Sequence, residues 1–329
     1  MAPGTLLAGG VVVPPRRVGP SAVLALAIAA VVGCGPHRIA SRRDLPTPAL
    51  NVDVDGVRIN YTRDGAGSTD RPTLVLVHGF GASLDSWNDV HLALASAFPV
   101  VRLDLKGSGF SDKPDDGRYA VDDQARLLRD FLHRTGLTRV VLVGHSLGGG
   151  IAIETVVANA SDPNPIRIDG LVLIDPAGYP QRYPDFVAML RNPVTRFLSQ
   201  FTSPEFRVRY VLERSFAIAA RVTDERVRRY AYYLRLPGAE RALASTAQQL
   251  RYGTLDDLRR ELAGVRVPTQ IVWGERDRVF PCRDAQFFHD AIADSVLSTL
   301  PASGHVPQEE EPGPTATILK SFLARVSPP

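Results

Sequence analysis

From residue 50 onward the chain alternates short β-branched runs with longer stretches of helical spacing, and no other feature constrains its fold as tightly. The runs "TLVLVHGF", "PVVRLDLKG", "RVVLVGHS" and "GLVLIDPAG" are continuously apolar at their centres instead of alternating in polarity. A strand of that kind has no face for solvent, so it belongs in a mostly parallel sheet covered by helices on both sides. The connecting stretches, Ser86 to Ala97 and Leu147 to Asn159 among them, have the length and pattern of crossover helices. "VRINYTRDG" reads as an earlier strand, "VPTQIVWGERD" and "DSVLSTLP" as later ones, and Pro314 to Arg325 as a closing helix.

The rhythm breaks between Tyr179 and Arg259. No strand pattern appears there, and Arg-rich segments such as "VTDERVRRYAYYLRL" carry apolar residues at helical spacing. A block of helices inserted into a series of strands is most simply a cap. The expected organisation is a core of residues 49–178 and 260–329 carrying a helical cap of residues 179–259. An apolar content of 44% with 22% charged residues excludes a disordered or fibrous chain. The basic residues are Arg apart from Lys106, Lys113 and Lys320, and they are interspersed with acids, which is not the pattern of a nucleic-acid surface.

The first 48 residues read separately. Arg16 and Arg17 precede the apolar run Ala22 to Val32, too short for a bilayer span of about 20 residues but suited to a secretory signal. Val31-Val32-Gly33-Cys34 resembles the lipobox of bacterial lipoproteins, although Leu is commoner where Val31 stands and the residues ahead of Arg16 make a long leader. That resemblance implies a signal peptide of residues 1–33, lipidation at Cys34, a tether of residues 34–48 and an exported, membrane-anchored address in a bacterial envelope. Cys282 is then the sole unmodified cysteine, so no intrachain disulfide is expected.

The chemistry centres on Gly144-His145-Ser146-Leu147-Gly148, which follows a buried-type strand and opens a Gly-rich helix start. In a strand-turn-helix elbow the central residue is strained, and a Cβ two positions to either side would collide with a neighbouring element; Gly144 and Gly148 meet that demand. A serine hydroxyl needs a base and a carboxylate to become nucleophilic at neutral pH. His305, in the loop after the last expected strand, and Asp277, after the preceding one, stand in the required order. Asp175, at the end of the "LVLID" strand, is the alternative acid, with the Gly-x-x-Asp context of Asp277 favouring the latter.

With these motifs in sequence the chain resembles the α/β-hydrolase fold family from residue 55 to its C-terminus. "HGFGAS" at His78 to Ser83 resembles the family's oxyanion loop, which implies that the backbone N–H of Phe80 and that of Leu147 are the two oxyanion donors. "DLKGSGFSDKP" from Asp104 resembles the turn after the next strand, where Gly107 and Gly109 let the chain pass close to the active centre. The resemblance implies a serine hydrolase acting on carboxylic esters. Relatives that open epoxides or displace halide carry Asp at the elbow, and Ser146 departs from them. Carbon–carbon bond hydrolases and perhydrolase-like members keep the serine and stay open as alternatives, as does a non-enzymatic binding member.

Other residues have plainer readings. His145 and His78 are expected as structural neighbours of the elbow and the loop. The histidines at 37, 91, 133 and 289 lack partners at ligand spacing, so no metal site is expected, and no cofactor motif is present. Trp87, Phe80, Tyr179 and the aromatics of "YAYYL" are candidates for lining a substrate pocket. Glu309 to Glu311 read as a solvated helix start, and the Arg-rich cap as a soluble charged face. The partners implied are a small-molecule or lipid ester and, through the anchor, a membrane, with no nucleic acid.

Overall fold

The computed structural model describes residues 49–65, 71–180 and 183–327. The expected signal peptide and the whole expected tether, Cys34 included, lie outside the described residues. Among those described, no helix is long and apolar enough to cross a membrane.

Eight strands form one sheet: β1 (Leu50–Val54), β2 (Val57–Asp64), β3 (Thr73–Val77), β4 (Val100–Leu103), β5 (Arg139–His145), β6 (Arg167–Ile174), β7 (Thr269–Gly274) and β8 (Ser295–Leu300). Their spatial order is β1-β2-β4-β3-β5-β6-β7-β8. β1 and β2 form an antiparallel hairpin, β2 pairs antiparallel with β4, and every pairing from β4 to β8 is parallel. Sequence reading finds seven of these strands. It misses β1, whose exposed, mixed-polarity residues carry no buried-strand signal.

The double-faced burial of the central strands explains their continuous apolar runs. In β3, Val75 and Val77 enter one core with Leu142, Leu171 and Ile271, beneath helices Val121–Arg134 and Leu147–Asn159. Leu74 and Leu76 enter a second core on the opposite face with Val141, Val143, Leu319 and Phe322. Successive side chains thus bury on opposite sides.

β4 holds an exception to this rule. Arg102 is almost wholly buried, and its guanidinium donates to Thr62 Oγ1 at 3.1 Å and Asn88 Oδ1 at 2.6 Å and pairs with Asp64 at 3.1 Å. A charge taken from water is tolerated when its donors are met in this way.

The stretch Ser86 to Ala97 is not one helix. It is a short 3-10 turn over Leu84–Trp87, in which the Ser83 side chain caps the Asp85 N–H, followed by a helix at His91–Ala95. Beyond β6 comes a series of helices: Asp185–Arg191, Pro193–Ser199, Pro204–Ser215, Asp224–Leu234, Ala239–Gln249 and Leu255–Ala263. Val208 and Leu212 of helix Pro204–Ser215, Phe216 at its end, and Val227 and Ala231 of helix Asp224–Leu234 form a small core of their own with Val306. Two further helices, Ala285–Ala291 and Pro312–Val326, cover the β7–β8 end.

Candidate active site

Ser146 sits between β5 and helix Leu147–Asn159 with φ 52° and ψ −120°, a conformation a non-glycine residue adopts at a cost of about 1–3 kcal/mol. The surroundings hold it there. Its N–H donates to Ile174 C=O at 3.0 Å, and its own C=O accepts from Ala177 at 2.9 Å and Gly149 at 2.8 Å. The flanking glycines are steric necessities: a Cβ on Gly144 would stand 2.3 Å from Gly148 C=O oxygen, and one on Gly148 would stand 2.3 Å from that of Val77.

Two loops at the same sheet edge bring the remaining groups. Ser146 Oγ lies 2.9 Å from His305 Nε2, and His305 Nδ1 lies 2.7 Å from Asp277 Oδ2. The network fixes the tautomer: Nδ1–H donates to the carboxylate and Nε2 faces the hydroxyl with its lone pair. Asp277 Oδ1 in turn accepts the N–H groups of Val279 at 2.6 Å and Phe280 at 2.9 Å, so both oxygens are held by donors. Phe280 packs edge-on against the His305 ring, with centroids 5.1 Å apart. All three side chains are buried.

Asp175 is placed beside this line but outside it. Its Oδ1 accepts the Gly274 N–H at 3.0 Å, and Oδ2 has no partner among the described residues. Burial, reinforced by the neighbouring Asp277, pushes its carboxyl well above the usual carboxylate range. Asp277, not Asp175, bonds the imidazole. Asp175, Asp277 and His305 each offer one donor atom within 4.8 Å of the others, yet the bond between His305 Nδ1 and Asp277 already occupies the ring nitrogen a cation would require.

The loop that carries Phe80 lies against Ser146. A Cβ on Gly79 would come within 3.0 Å of Ser146 Cβ. The N–H groups of Phe80 and Leu147 are not committed to a hydrogen bond among the described residues, and Leu147 stands at the positive end of a 13-residue helix. Such a corner suits an oxygen that develops negative charge.

His145 and His78 are the structural neighbours expected from the sequence, with partners that only the structure names. His145 is wholly buried, and its Nε2–H donates to His305 C=O at 2.7 Å, so the elbow grips the backbone of the histidine loop directly. Burial, with help from His305, pushes His145 down to about 3 and keeps it neutral. His78 donates from Nδ1 to Gly79 C=O at 2.8 Å and accepts the Leu105 N–H at Nε2, 3.1 Å away.

Asp104 is a buried hub. It accepts from Leu84 N–H, Phe110 N–H and Asn60 Nδ2, each at 2.8 Å, and so ties the loop after β3 to the turn after β4. A Cβ on Gly109 would lie 2.0 Å from its carboxyl carbon, and one on Gly107 would lie 2.7 Å from the Tyr119 ring. These glycines therefore make room for Asp104 and Tyr119.

The acidic run is not a solvated helix start, because Glu309 and Glu310 are buried. Glu309 receives Arg226 and the Tyr230 hydroxyl from helix Asp224–Leu234. Glu310 accepts the Gly304 and Ala217 N–H groups, both at 2.7 Å. Together they fasten the helical series to the His305 loop. Apart from Gly304, their partners lie some 80 to 90 residues upstream, a separation no local pattern reports.

Trp87 requires correction as a pocket residue. It has no exposed surface and packs with Leu74, Leu76, Val90 and Leu94 in the second core. Phe80 does reach the helical series, its ring stacked on Phe186 at 6.2 Å. Tyr179 is half-buried and meets Phe287 edge-on at 5.3 Å. Of the "YAYYL" aromatics, Tyr230 binds Glu309, and Tyr233 is buried with its hydroxyl 2.6 Å from Asp85 Oδ2. These two serve as latches.

With the elbow, the two donors and the Ser–His–Asp line in place, comparison with known proteins is informative. Residues 72–312 match the family model described as alpha/beta hydrolase fold. The chain belongs to the α/β-hydrolase fold family. An uncharacterised protein of Mycobacterium tuberculosis is 31% identical over 306 residues, covering 87% of this chain and 84% of that protein. The 2-hydroxy-6-oxo-6-(2'-aminophenyl)hexa-2,4-dienoic acid hydrolase of Metapseudomonas resinovorans is 29% identical over 285 residues, 83% of this chain and 90% of its own. Among solved structures, a membrane phospholipase A described as a bacterial virulence factor superposes with a TM-score of 0.69 at 29% identity, covering 86% of this chain and 87% of the other. As an α/β-fold hydrolase, the chain has a small molecule as the implied substrate.

Proposed function

We propose that this α/β-hydrolase cleaves carboxylic esters through an acyl-enzyme on Ser146. The observation that carries the reading is the unbroken hydrogen-bond line from Ser146 Oγ through His305 to Asp277, at 2.9 and 2.7 Å. His305 Nε2 takes the hydroxyl proton as Oγ attacks the ester carbonyl. Asp277 stabilises the imidazolium, and the N–H groups of Phe80 and Leu147 hold the oxyanion. As the tetrahedral centre collapses, the alcohol leaves with the proton from His305. Water, deprotonated by the same nitrogen, then attacks the acyl group and returns Ser146 to its hydroxyl form.

The similarity to a phospholipase A supports an ester as the substrate bond. A second reading is supported by the dienoic acid hydrolase relative: the same serine would act on a C–C bond beside a carbonyl. Hydrolysis rates across p-nitrophenyl esters of increasing acyl length, with a C–C hydrolase substrate alongside, separate the two. A protein silent on every ester but active on the latter overturns the ester reading. Labelling of Ser146 by a fluorophosphonate is expected, whereas a binding module of this fold would not label. Ser146→Ala is expected to lose ~10⁴-fold or more of the turnover.

The reading extends to organisation and address. Residues 179–259 act as the cap over this site, residues 1–33 as an export signal, and Cys34 as the lipid-bearing residue that keeps the hydrolase on a membrane. Cys34→Ser should move the protein from the membrane fraction to the soluble one.

A further inference from the structure

Helix Pro193–Ser199 turns its apolar stripe away from the protein. Val194, Phe197 and Leu198 fall at i, i+3 and i+4, Phe201 follows in the turn after the helix, and the four are 63%, 57%, 40% and 61% exposed. The same spacing on helix Val121–Arg134 puts Leu128, Phe131 and Leu132 into the core. The outward stripe is contiguous, since the Phe197 and Phe201 rings meet edge-on with centroids 5.5 Å apart. Met189 and Phe206, on the helices before and after it in the chain, are also 41% and 47% exposed.

Asp185 and Glu205 bracket the stripe, but the helical series as a whole is basic, with 14 Arg against 8 acids over residues 179–259. Residues 186–204 contain Arg191 and Arg196 and no acid. Arg191 is engaged by the carbonyls of Ala247 and Leu250, whereas Arg196 lines the cavity behind the stripe. An apolar ridge with a basic residue beside it complements a surface that is apolar within and anionic outside.

Behind the stripe lies a cavity of about 350 Å³ whose walls include Leu190, Arg196 and Ser199 from this side and Leu243 and Gln248 from helix Ala239–Gln249. Leu243 also borders the oxyanion loop, for its Cδ1 lies 3.6 Å from where a Cβ on Gly81 would stand. Stripe, cavity and the turn bearing Phe80 therefore follow one another inward. Tether length permits the contact. Fifteen residues from Cys34 to Pro48 reach up to ~50 Å when extended, more than twice the radius of gyration of about 19 Å expected for a domain of this size.

We propose that the stripe from Val194 to Phe201 is a docking face for an anionic phospholipid bilayer, seating the helical cap on the membrane so that the cavity opens toward esters held there. The substrate half of this inference rests on the ester reading above and the tether argument on the anchor reading; the exposed stripe rests on neither.

The test uses the full chain carrying Phe201→Trp. The two natural tryptophans, Trp87 and Trp273, have no exposed surface, so emission from the new indole reports on the stripe alone. Vesicles of phosphatidylglycerol with brominated acyl chains should quench that added emission about twofold relative to unbrominated vesicles. Unquenched emission from protein that floats with the vesicles would mean that the N-terminal segment alone holds it, and overturns the proposal. Loss of self-association in Phe197→Asp/Phe201→Asp, with no quenching in Phe201→Trp, would likewise overturn it by making the face an interface between copies of the chain. In the double Asp variant, hydrolysis of a vesicle-embedded ester should fall by about tenfold while a soluble short-chain ester is cleaved within about twofold of the natural rate. Two rates that fall together, or neither falling, contradict the docking role. A chain inactive on all esters would sink the ester reading and leave quenching to decide docking.

Discussion

Acidification from pH 7 to pH 5 should destabilise this fold by about 2 kcal/mol through His145 alone. In the unfolded chain its imidazole titrates near 6.5, while in the folded protein burial holds it down to about 3. Because the folded value is the lower one, the unfolded state binds more protons between the two. Stability is therefore intact above about pH 6.5 and is lost as the pH falls toward 3. At pH 5 the unfolded chain gains RT ln(1 + 10^1.5), about 2 kcal/mol, against about 0.2 kcal/mol at pH 7. His78, also lowered by burial, acts in the same direction. The control is His145→Gln, which keeps an amide donor for the His305 carbonyl and cannot titrate. Urea unfolding followed by circular dichroism at both pH values gives the comparison. The wild type should lose about 2 kcal/mol more than the variant between pH 7 and 5. Parallel losses in the two proteins would refute the reasoning, because they would mean that His145 is protonated to the same degree folded and unfolded.

Three further outcomes are expected. Asp277→Asn should lower kcat by ~10³–10⁴-fold because it removes the acceptor that orients His305, whereas Asp175→Asn, resembling the protonated acid, should leave kcat within about tenfold and raise stability at neutral pH; a reversed order of the two kcat values would assign the acid to Asp175. Glu310→Gln substitutes an amide for a carboxylate that accepts two backbone N–H groups, so one donor is left facing another and stability should drop by about 1–3 kcal/mol in urea titrations. Gly148→Ala should fail to give a native near-ultraviolet circular dichroism spectrum, since its Cβ would stand 2.3 Å from the Val77 carbonyl oxygen.

The elbow was legible in sequence because its constraints are local. Strand, turn and helix are contiguous there, and Gly144 and Gly148 record steric limits within five residues of chain. Asp277 and His305 were legible for a related reason: each follows immediately on a strand, and parallel strands deliver their C-terminal ends to one edge. Trp87 was misread because a large aromatic beside a glycine-rich loop has the same local context whether it faces ligand or core. The acidic run was misread because Arg226, which pairs with Glu309, and Ala217, which donates to Glu310, lie distant along the chain. β1 was missed because an edge strand needs no apolar face.

Apolar periodicity and backbone sterics act over a few residues, so the sequence by itself determined the parallel sheet, the strained serine turn and the order of serine, acid and histidine. Only the tertiary structure decided which carboxylate bonds His305, that His145 grips the histidine loop, that two glutamates latch the helical series, and that one apolar stripe is left facing outward. Those outcomes depend on which side chains meet across long stretches of chain and which are stripped of water together, and such meetings leave no local trace.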